Sequence, residues 1–174
     1  MNDLERLLAR DAIRDLAHRY AVALDARDLE GLVGLFVEDV QVGRSGRGRE
    51  ALRADFERQL RAIGVSVLYV CNHVVDFDDD HANGIVYTRA EIQDGPRFVI
   101  QAIQYHDRYE RRQGRWYFVR RRHRLVYGAE VGENPMRLPP ANWPESYTGR
   151  GTLPGSLPTW QAFYRRRRDP EGGG

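Results

Sequence analysis

The sequence predicts an α+β fold in which three helices pack on a mostly antiparallel sheet. Apolar residues recur at three- and four-residue steps through the first part of the chain, whereas long alternating runs begin near residue 65. Those runs are joined by short turns and not by helices. With 174 residues, of which 41% are hydrophobic, the chain is long enough for one domain with a substantial core.

The first helix is predicted over residues 3–25. Its apolar stripe consists of Leu4, Leu7, Leu8, Ile13, Leu16, Tyr20 and Leu24. Asp25 lies one step off that stripe, about 100° around the helix, and near the helix end. Asp28 is the predicted N-cap of a second, short helix that runs to Phe36.

Residues 40–42 are predicted to form a first strand, residues 43–48 a polar turn and residues 49–63 a third helix. Strands are then predicted at residues 67–77, 84–93, 97–111 and 115–127.

Beyond residue 128 the periodicity fades, and this region holds seven of the eight prolines. Its aromatic residues, including Trp143, Tyr147 and Trp160, make it too apolar for a free linker. We therefore divide the chain into a domain of residues 1–128 and a proline-rich arm of residues 129–174, packed on the domain or on a neighbouring subunit. The arginine run at residues 165–168 is predicted to be a solvated tail and not a nucleic-acid contact.

Composition excludes several kinds of chemistry. All 27 Lys+Arg residues are arginine, so Schiff-base catalysis by lysine is excluded while fixed cations remain available for anionic groups. The single cysteine, Cys71, allows no internal disulfide and no cysteine metal cluster. We expect neither a metal nor a cofactor. The sequence shows no signal peptide and no long apolar run, which predicts a cytoplasmic protein without a membrane partner.

His73 is the most informative candidate for catalysis. A histidine that meets a carboxylate inside an apolar pocket is a general-base pair, and Asp25 is the candidate partner. Taken singly, His73 is better explained as a structural histidine and Asp25 as a helix-end residue, and only the two together point to catalysis.

Strand alternation provides further candidates. On the last strand it places Tyr117, Val119, Arg121, His123 and Leu125 on one face. The opposite face carries three arginines that cannot all be buried unpaired, so we expect Arg121 and His123 to point into the pocket. The same alternation predicts pocket walls formed by Val86, Thr88, Ala90, Tyr105 and Leu125.

Four segments, residues 1–7, 20–25, 72–73 and 109–116, together resemble the SnoaL-like branch of the NTF2-like superfamily. The similar group holds lindane dehydrochlorinase, scytalone dehydratase and bile-acid 7α-dehydratase, and the resemblance covers about residues 1–128. It implies a cone-shaped α+β barrel around a deep apolar pocket. It also implies a homo-oligomer, with a trimer favoured over a dimer.

The resemblance further implies roles for individual residues. Asp25 would orient His73 as the base, and Arg121 would assist a departing anion. Tyr20 matches a tyrosine of the bile-acid enzyme, whereas Ala90 stands where that enzyme places an aspartate. His123 is an additional pocket histidine that the resemblance does not explain.

These observations predict a cofactor-independent lyase of the dehydratase type. Its expected substrate is a hydrophobic polycyclic, terpenoid or polyketide-type molecule. An isomerase, a polyketide cyclase or an epoxide hydrolase in the same pocket remains an alternative, as does a non-catalytic binding module. A filled pocket in which Tyr20 and His73 bond only to protein would favour the binding module.

Overall fold

A computed structural model describes residues 1–142, 144–146 and 148–165. Trp143, Tyr147 and residues 166–174, with most of the terminal arginine run, lie outside the described residues. The elements are α1 (Asp3–Asp25), α2 (Leu29–Gly34), β1 (Gln41–Val42), β2 (Gly46–Arg47), α3 (Arg49–Arg61), β3 (Ser66–Asp78), β4 (His81–Asp94), β5 (Arg97–Arg112), β6 (Arg115–Glu130) and α4 (Pro158–Arg165). This arrangement confirms the α+β class. The turn predicted at residues 43–48 is instead a small hairpin formed by β1 and β2.

Helix α1 has clear signals at both ends. Asn2 and Glu5 form a reciprocal capping box at its start. It ends at Asp25, and Arg27 then adopts a left-handed conformation with φ of 57°. The second half of the predicted stripe, from Ile13 to Leu24, is buried. The first half is not, since Leu4, Leu7 and Leu8 are each at least 60% exposed.

The main sheet has the strand order β3-β4-β5-β6 and is antiparallel throughout. Its outer strands, β3 and β6, do not pair with each other, so the sheet is open. The expected arrangement of helices packed on a curved, mostly antiparallel sheet is therefore confirmed, and the strands themselves do not close into a barrel. The segment after α2 is fastened to β6 by backbone bonds of 2.9 Å from Val37 N to Phe118 O and from Phe118 N to Leu35 O.

A bulge in β3 decides which way His73 points. Val70 pairs with Thr88 but His73 pairs with Val86, so β3 carries one extra residue between them. Ser66 is inward before the bulge and His73 is inward after it. Uninterrupted alternation from Ser66 would have turned the imidazole to the outer face.

A second bulge changes the predicted faces of β6. Tyr109 pairs with Phe118 and Arg108 pairs with Arg120, which leaves Val119 as the extra residue. Phe118 is fully buried on the same side as Arg121. The prediction that Tyr117 and Val119 share a face with Arg121 is therefore wrong, because the alternation reverses at this point.

The C-terminal arm contains a helix that the sequence analysis missed. Helix α4 packs beside the corner that follows α1, where Thr159 Oγ1 donates to Ala26 O at 2.8 Å. Phe163 is 4% exposed and joins the core of the domain. Among the described residues, no helix is both long and apolar enough to cross a membrane.

Candidate active site

The inner face of the sheet, α1 and α3 enclose a cavity of about 570 Å³. Much of its wall is apolar and includes Leu24, Phe56, Leu60, Ile63, Leu68 and Ile92. Ten polar side chains also line it: Tyr20, Gln41, Asp55, Gln59, Ser66, Gln101, Tyr105, Arg120, Arg121 and His123. A concave site that combines apolar walls with converging polar groups is typical of small-molecule sites.

Arg121 places a fixed positive charge at the cavity wall. Its Nε and Nη2 donate to the two carboxylate oxygens of Asp107 at 3.1 and 3.0 Å, and the two side chains are only 5% and 0% exposed. The guanidinium also lies 4.3 Å from the ring centre of Tyr20 and 4.2 Å from that of Tyr105. Burial, the largest single effect, lowers the pKa of Arg121, but the Asp107 carboxylate together with the nearby Tyr20, Tyr105 and Tyr109 outweighs it, and the net shift is upward. The cation is therefore permanent.

Tyr20 and Tyr105 supply neutral hydrogen-bond donors beside that cation. Their rings meet edge to face with centres 5.9 Å apart. Burial raises the pKa of both phenols, and each is 7% exposed or less. Both hydroxyls keep their protons at neutral pH.

Asp25 does not itself line the cavity, but Leu24, Ser66 and Leu68 beside it do, and two hydrogen bonds hold its carboxylate. Ser66 Oγ donates to Asp25 Oδ1 at 3.1 Å, and the backbone N–H of Leu68 donates to Oδ2 at 2.8 Å. Burial raises the pKa of Asp25 to about 6, against the opposing effects of these two bonds and of the Arg27 cation. A carboxyl with a pKa this close to neutrality is suited to acid–base catalysis.

His73 is part of a different network. Its Nε2 lies 3.1 Å from the hydroxyl of Tyr109, which itself donates to Asp107 Oδ2 at 2.8 Å. Because the single phenolic proton is used on Asp107, Nε2 must be the donor to Tyr109, and Nδ1 carries no proton. Nδ1 is buried and has no partner among the described residues. Burial, followed by the Arg121 and Arg14 cations, lowers the pKa of His73 to about 4.

Asp25 and His73 do not form the predicted pair in the described structure. Arg14 Nη2 donates to the carbonyl oxygen of His73 at 3.4 Å, which places His73 beside the middle of α1. Asp25, at the end of α1, is about 16 Å farther along the helix axis. His73 likewise lies four paired positions beyond Leu68 along β3, which is about 13 Å at the usual rise of a strand. The two groups that face the carboxylate are a hydroxyl and a backbone amide, with no imidazole.

The other predicted wall residues divide into two groups. Ala90 and Tyr105 line the cavity. Val86 and Thr88 are buried on the same face of β4 but lie away from the cavity wall, and Leu125 is 54% exposed. His123 lines the cavity with its ring edge-on to Tyr105 at 5.7 Å, and burial lowers its pKa.

Sequence reasoning missed Ser66, Asp107 and Tyr109. Alternation on β5 would have placed Asp107 and Tyr109 on the face of Tyr105, and a buried aspartate there requires a cationic partner such as Arg121. Ser66 carried no comparable signal. Among the described residues, no group of three His, Cys, Asp or Glu side chains is placed to hold a metal ion.

A permanent cation and two neutral phenols in the cavity wall, with a carboxyl of pKa near 6 next to that wall, define a small-molecule site suited to proton transfer. The chain belongs to the SnoaL-like domain family, whose model matches residues 5–122. It is 26% identical to hexachlorocyclohexane dehydrochlorinase LinA-type3 from Novosphingobium barchaimii, over 76% of this chain and 97% of that one, with a TM-score of 0.68. No curated protein matches the chain significantly.

Two further solved structures are similar. A candidate scytalone dehydratase from Novosphingobium aromaticivorans is 26% identical over 77% of this chain and 94% of that one, with a TM-score of 0.64. A Mycobacterium tuberculosis protein of unknown function is 26% identical over 72% and 76%, with a TM-score of 0.63. The dehydratase-like and dehydrochlorinase relatives support lyase-type activity on a small molecule, while the third relative has no stated activity.

Proposed function

We propose that the protein is a cofactor-independent lyase that eliminates water or a similar group from a hydrophobic cyclic molecule held in the cavity. Asp25, and not His73, is the base. One observation carries this assignment: Asp25 has a pKa near 6 at a position where Leu24, Ser66 and Leu68, its neighbours, line the cavity. The charge of Asp25 also raises the pKa of the Tyr105 phenol, which places the two groups within electrostatic range.

The proposed reaction starts from a ring bearing a carbonyl and a β-hydroxyl group. The Asp25 carboxylate takes a proton from the carbon between them, and the electron pair moves onto the carbonyl oxygen. Arg121 and Tyr20 stabilise that enolate. The carbon–oxygen bond to the β-hydroxyl then breaks, and the Asp25 carboxyl returns its proton to the leaving oxygen, so that water departs. His123, on the cavity wall, assists this leaving group.

His73 has a supporting role in this proposal. Its imidazole is neutral at physiological pH and reaches the cavity only through Tyr109, Asp107 and Arg121. The network fixes the Asp107 carboxylate that orients the Arg121 guanidinium.

A direct test uses 3-hydroxy-1-tetralone, a bicyclic β-hydroxy ketone whose dehydration yields 1-naphthol, and follows naphthol fluorescence. A second probe is hexachlorocyclohexane, with chloride release as the readout. We expect turnover of at least one probe by the wild-type protein and its loss in Asp25→Asn. Turnover that is unchanged in Asp25→Asn would refute the assignment of the base.

An isomerase, a cyclase or an epoxide hydrolase would use the same cavity. Deuterium uptake at the α-carbon of 1-tetralone without any elimination product would favour an isomerase. A binding module is favoured by one observation, since His73 is bonded only to protein. The cavity of about 570 Å³ beside the Arg121 cation favours a ligand site in either case.

We also propose that the chain assembles with copies of itself through the outer face of the sheet. This face carries exposed apolar residues, including Val74 at 61%, Tyr69 at 48% and Tyr87 at 46%. In the described structure it is not covered by any helix. The resemblance implies a trimer, while the charges on this face favour pairs.

A further inference from the structure

We propose that Arg27, clamped by the C-terminal helix α4, is a positioning residue that fixes the Ser66 hydroxyl on Asp25. This inference rests on the proposed function, in which Asp25 transfers the proton. It assigns a role to the part of the chain that lies beyond the SnoaL-like match at residues 5–122.

Arg27 is an unusually buried arginine. It is 2% exposed, and its backbone holds the left-handed conformation that ends α1. Its Nη1 donates to Leu24 O at 2.8 Å and to Ser66 Oγ at 2.9 Å, and its Nη2 donates to Gly64 O. The guanidinium therefore joins the end of α1, which carries Asp25, to the beginning of β3, which carries Ser66.

The contact between Arg27 and Ser66 determines where the Ser66 proton points. A guanidinium can only donate, so Ser66 Oγ must accept from Arg27. A serine hydroxyl has one proton, which is then available for Asp25 Oδ1 at 3.1 Å. Without Arg27 the hydroxyl is free to rotate and to donate elsewhere.

Helix α4, which lies beyond the residues matched by the family model, packs against Arg27. The Trp160 ring centre lies 4.6 Å from the Arg27 guanidinium carbon. Thr159 Oγ1 donates to Ala26 O at 2.8 Å, and Arg61 Nη2 donates to Phe163 O at 3.0 Å. These contacts hold the indole against the guanidinium. Arg27 Nε is buried there without a partner among the described residues.

The groups that act on Asp25 come from several elements. Ser66 and the Leu68 amide face it from β3 and Arg27 from the corner after α1. The Tyr105 phenol on β5 lies within electrostatic range of its charge. The Ser66 bond and the Arg27 cation both lower the pKa of Asp25. Removing the cation while keeping the fold must therefore raise it.

The test measures the Asp25 carboxyl directly by ¹³C NMR titration, which needs no substrate. We expect Arg27→Gln to move the titration midpoint upward by at least half a pH unit from the wild-type value, and Arg27→Lys, which keeps the charge, to restore most of it. A folded Arg27→Gln protein with a wild-type midpoint would overturn the proposal.

Two further variants keep the test decisive if Arg27→Gln fails to fold. Ser66→Ala removes only the bridging hydroxyl and must also raise the midpoint, so an unchanged value would overturn the link through Ser66. Trp160→Ala must accelerate hydrogen exchange of the Arg27 guanidinium protons at least tenfold, whereas Trp160→Phe retains the ring and the protection. Equal exchange in both would show that α4 does not clamp Arg27.

The titration also separates this inference from the proposed function. If Asp25→Asn keeps its turnover while Arg27→Gln shifts the midpoint, the lyase assignment fails but the positioning role stands. If Asp25→Asn is inactive and Arg27→Gln leaves the midpoint unchanged, the positioning role fails alone.

Discussion

Burial acts on Asp25 and His73 in opposite senses. It raises the pKa of the carboxyl to about 6 and lowers that of the imidazole to about 4, because in each case the charged form is disfavoured. Near neutral pH the carboxylate is ionised but only slightly beyond its midpoint, while the imidazole is neutral. These states suit Asp25 for proton transfer and His73 for a fixed hydrogen bond.

Removal of the base should cause a large decrease in turnover and leave the fold intact. Replacing Asp25 by Asn keeps an acceptor for Ser66 or the Leu68 amide but removes the base, so turnover is expected to fall by about 10²–10⁴-fold. Wild-type kcat/KM should rise with pH through an apparent pKa near 6, since the base must be deprotonated. Circular dichroism provides the control for an intact fold. A flat wild-type profile between pH 5 and 7 would contradict this role.

His73 should make the free energy of unfolding depend on pH. Its pKa is lower in the folded protein than the ordinary value of 6.5, so folding favours the neutral form. The stability that depends on neutral His73 is complete above about pH 6.5 and is lost as the pH falls towards 4. We expect the free energy of unfolding of His73→Gln to decline less than that of the wild type over this window. Urea titrations at pH 7 and 4.5 measure the difference, and parallel declines would argue against a buried neutral imidazole.

At the scale of the element, the bulges in β3 and β6 determine which side chains lie on the inner face of the sheet. Each one shifts the inward series by one residue, which brings His73 inside on β3 and places Arg121 opposite Asp107 on β6. A bulge gives no signal in the residue types of a strand or in the turns that bound it. Alternation alone therefore predicted Arg121 and His123 inside but assigned Tyr117 and Val119 to the wrong side.

Other elements could be predicted because their signals are local. The periodicity of α1 and the Asp28 N-cap of α2 depend on neighbouring residues, and the structure contains both. The contact between Asp25 and Ser66 joins residues far apart in sequence, and nothing local specifies it. Helix α4 had a start signal in Pro158, which the surrounding prolines and glycines obscured.

A buried ion pair, Arg121 with Asp107, links β6 to β5. Replacing Asp107 by Asn leaves Arg121 buried without its countercharge, and we expect a loss of about 3–5 kcal/mol in the free energy of unfolding. The matched control is Asp15→Asn, which removes the exposed Arg19 pair and should cost about 0–1 kcal/mol. Urea denaturation compares them. Similar losses in the two variants would show that Arg121 is not held as described.

At the scale of the whole molecule, the outer sheet face has a charge pattern that favours self-pairing. Asp76, Asn83, Arg108 and Arg120 lie in one row across β3, β4, β5 and β6. When two such faces stack about a two-fold axis parallel to the strands, β3 of one copy covers β6 of the other at the same height. Asp76 of each copy then meets Arg120 of its partner.

Charge exchange tests this assembly. We expect the wild-type protein to be a dimer by light scattering, Asp76→Arg to be largely monomeric, and the double variant with Asp76→Arg and Arg120→Asp to recover the dimer. Asp11→Arg, on the exposed side of α1, is the control for added charge. A wild-type monomer, or a dimer unaffected by Asp76→Arg, would exclude the pairing, and a threefold mass would support the trimer that the family resemblance implies.

The most direct test of the central claim is a paired ¹³C and ¹⁵N NMR titration of Asp25 and His73 in the wild type and in His73→Gln. The structure predicts midpoints near 6 for Asp25 and near 4 for His73, with the Asp25 midpoint unchanged when the imidazole is removed. A His73 midpoint above 6.5, together with an Asp25 midpoint that shifts in His73→Gln, would show that the two groups are paired and that the imidazole is the base.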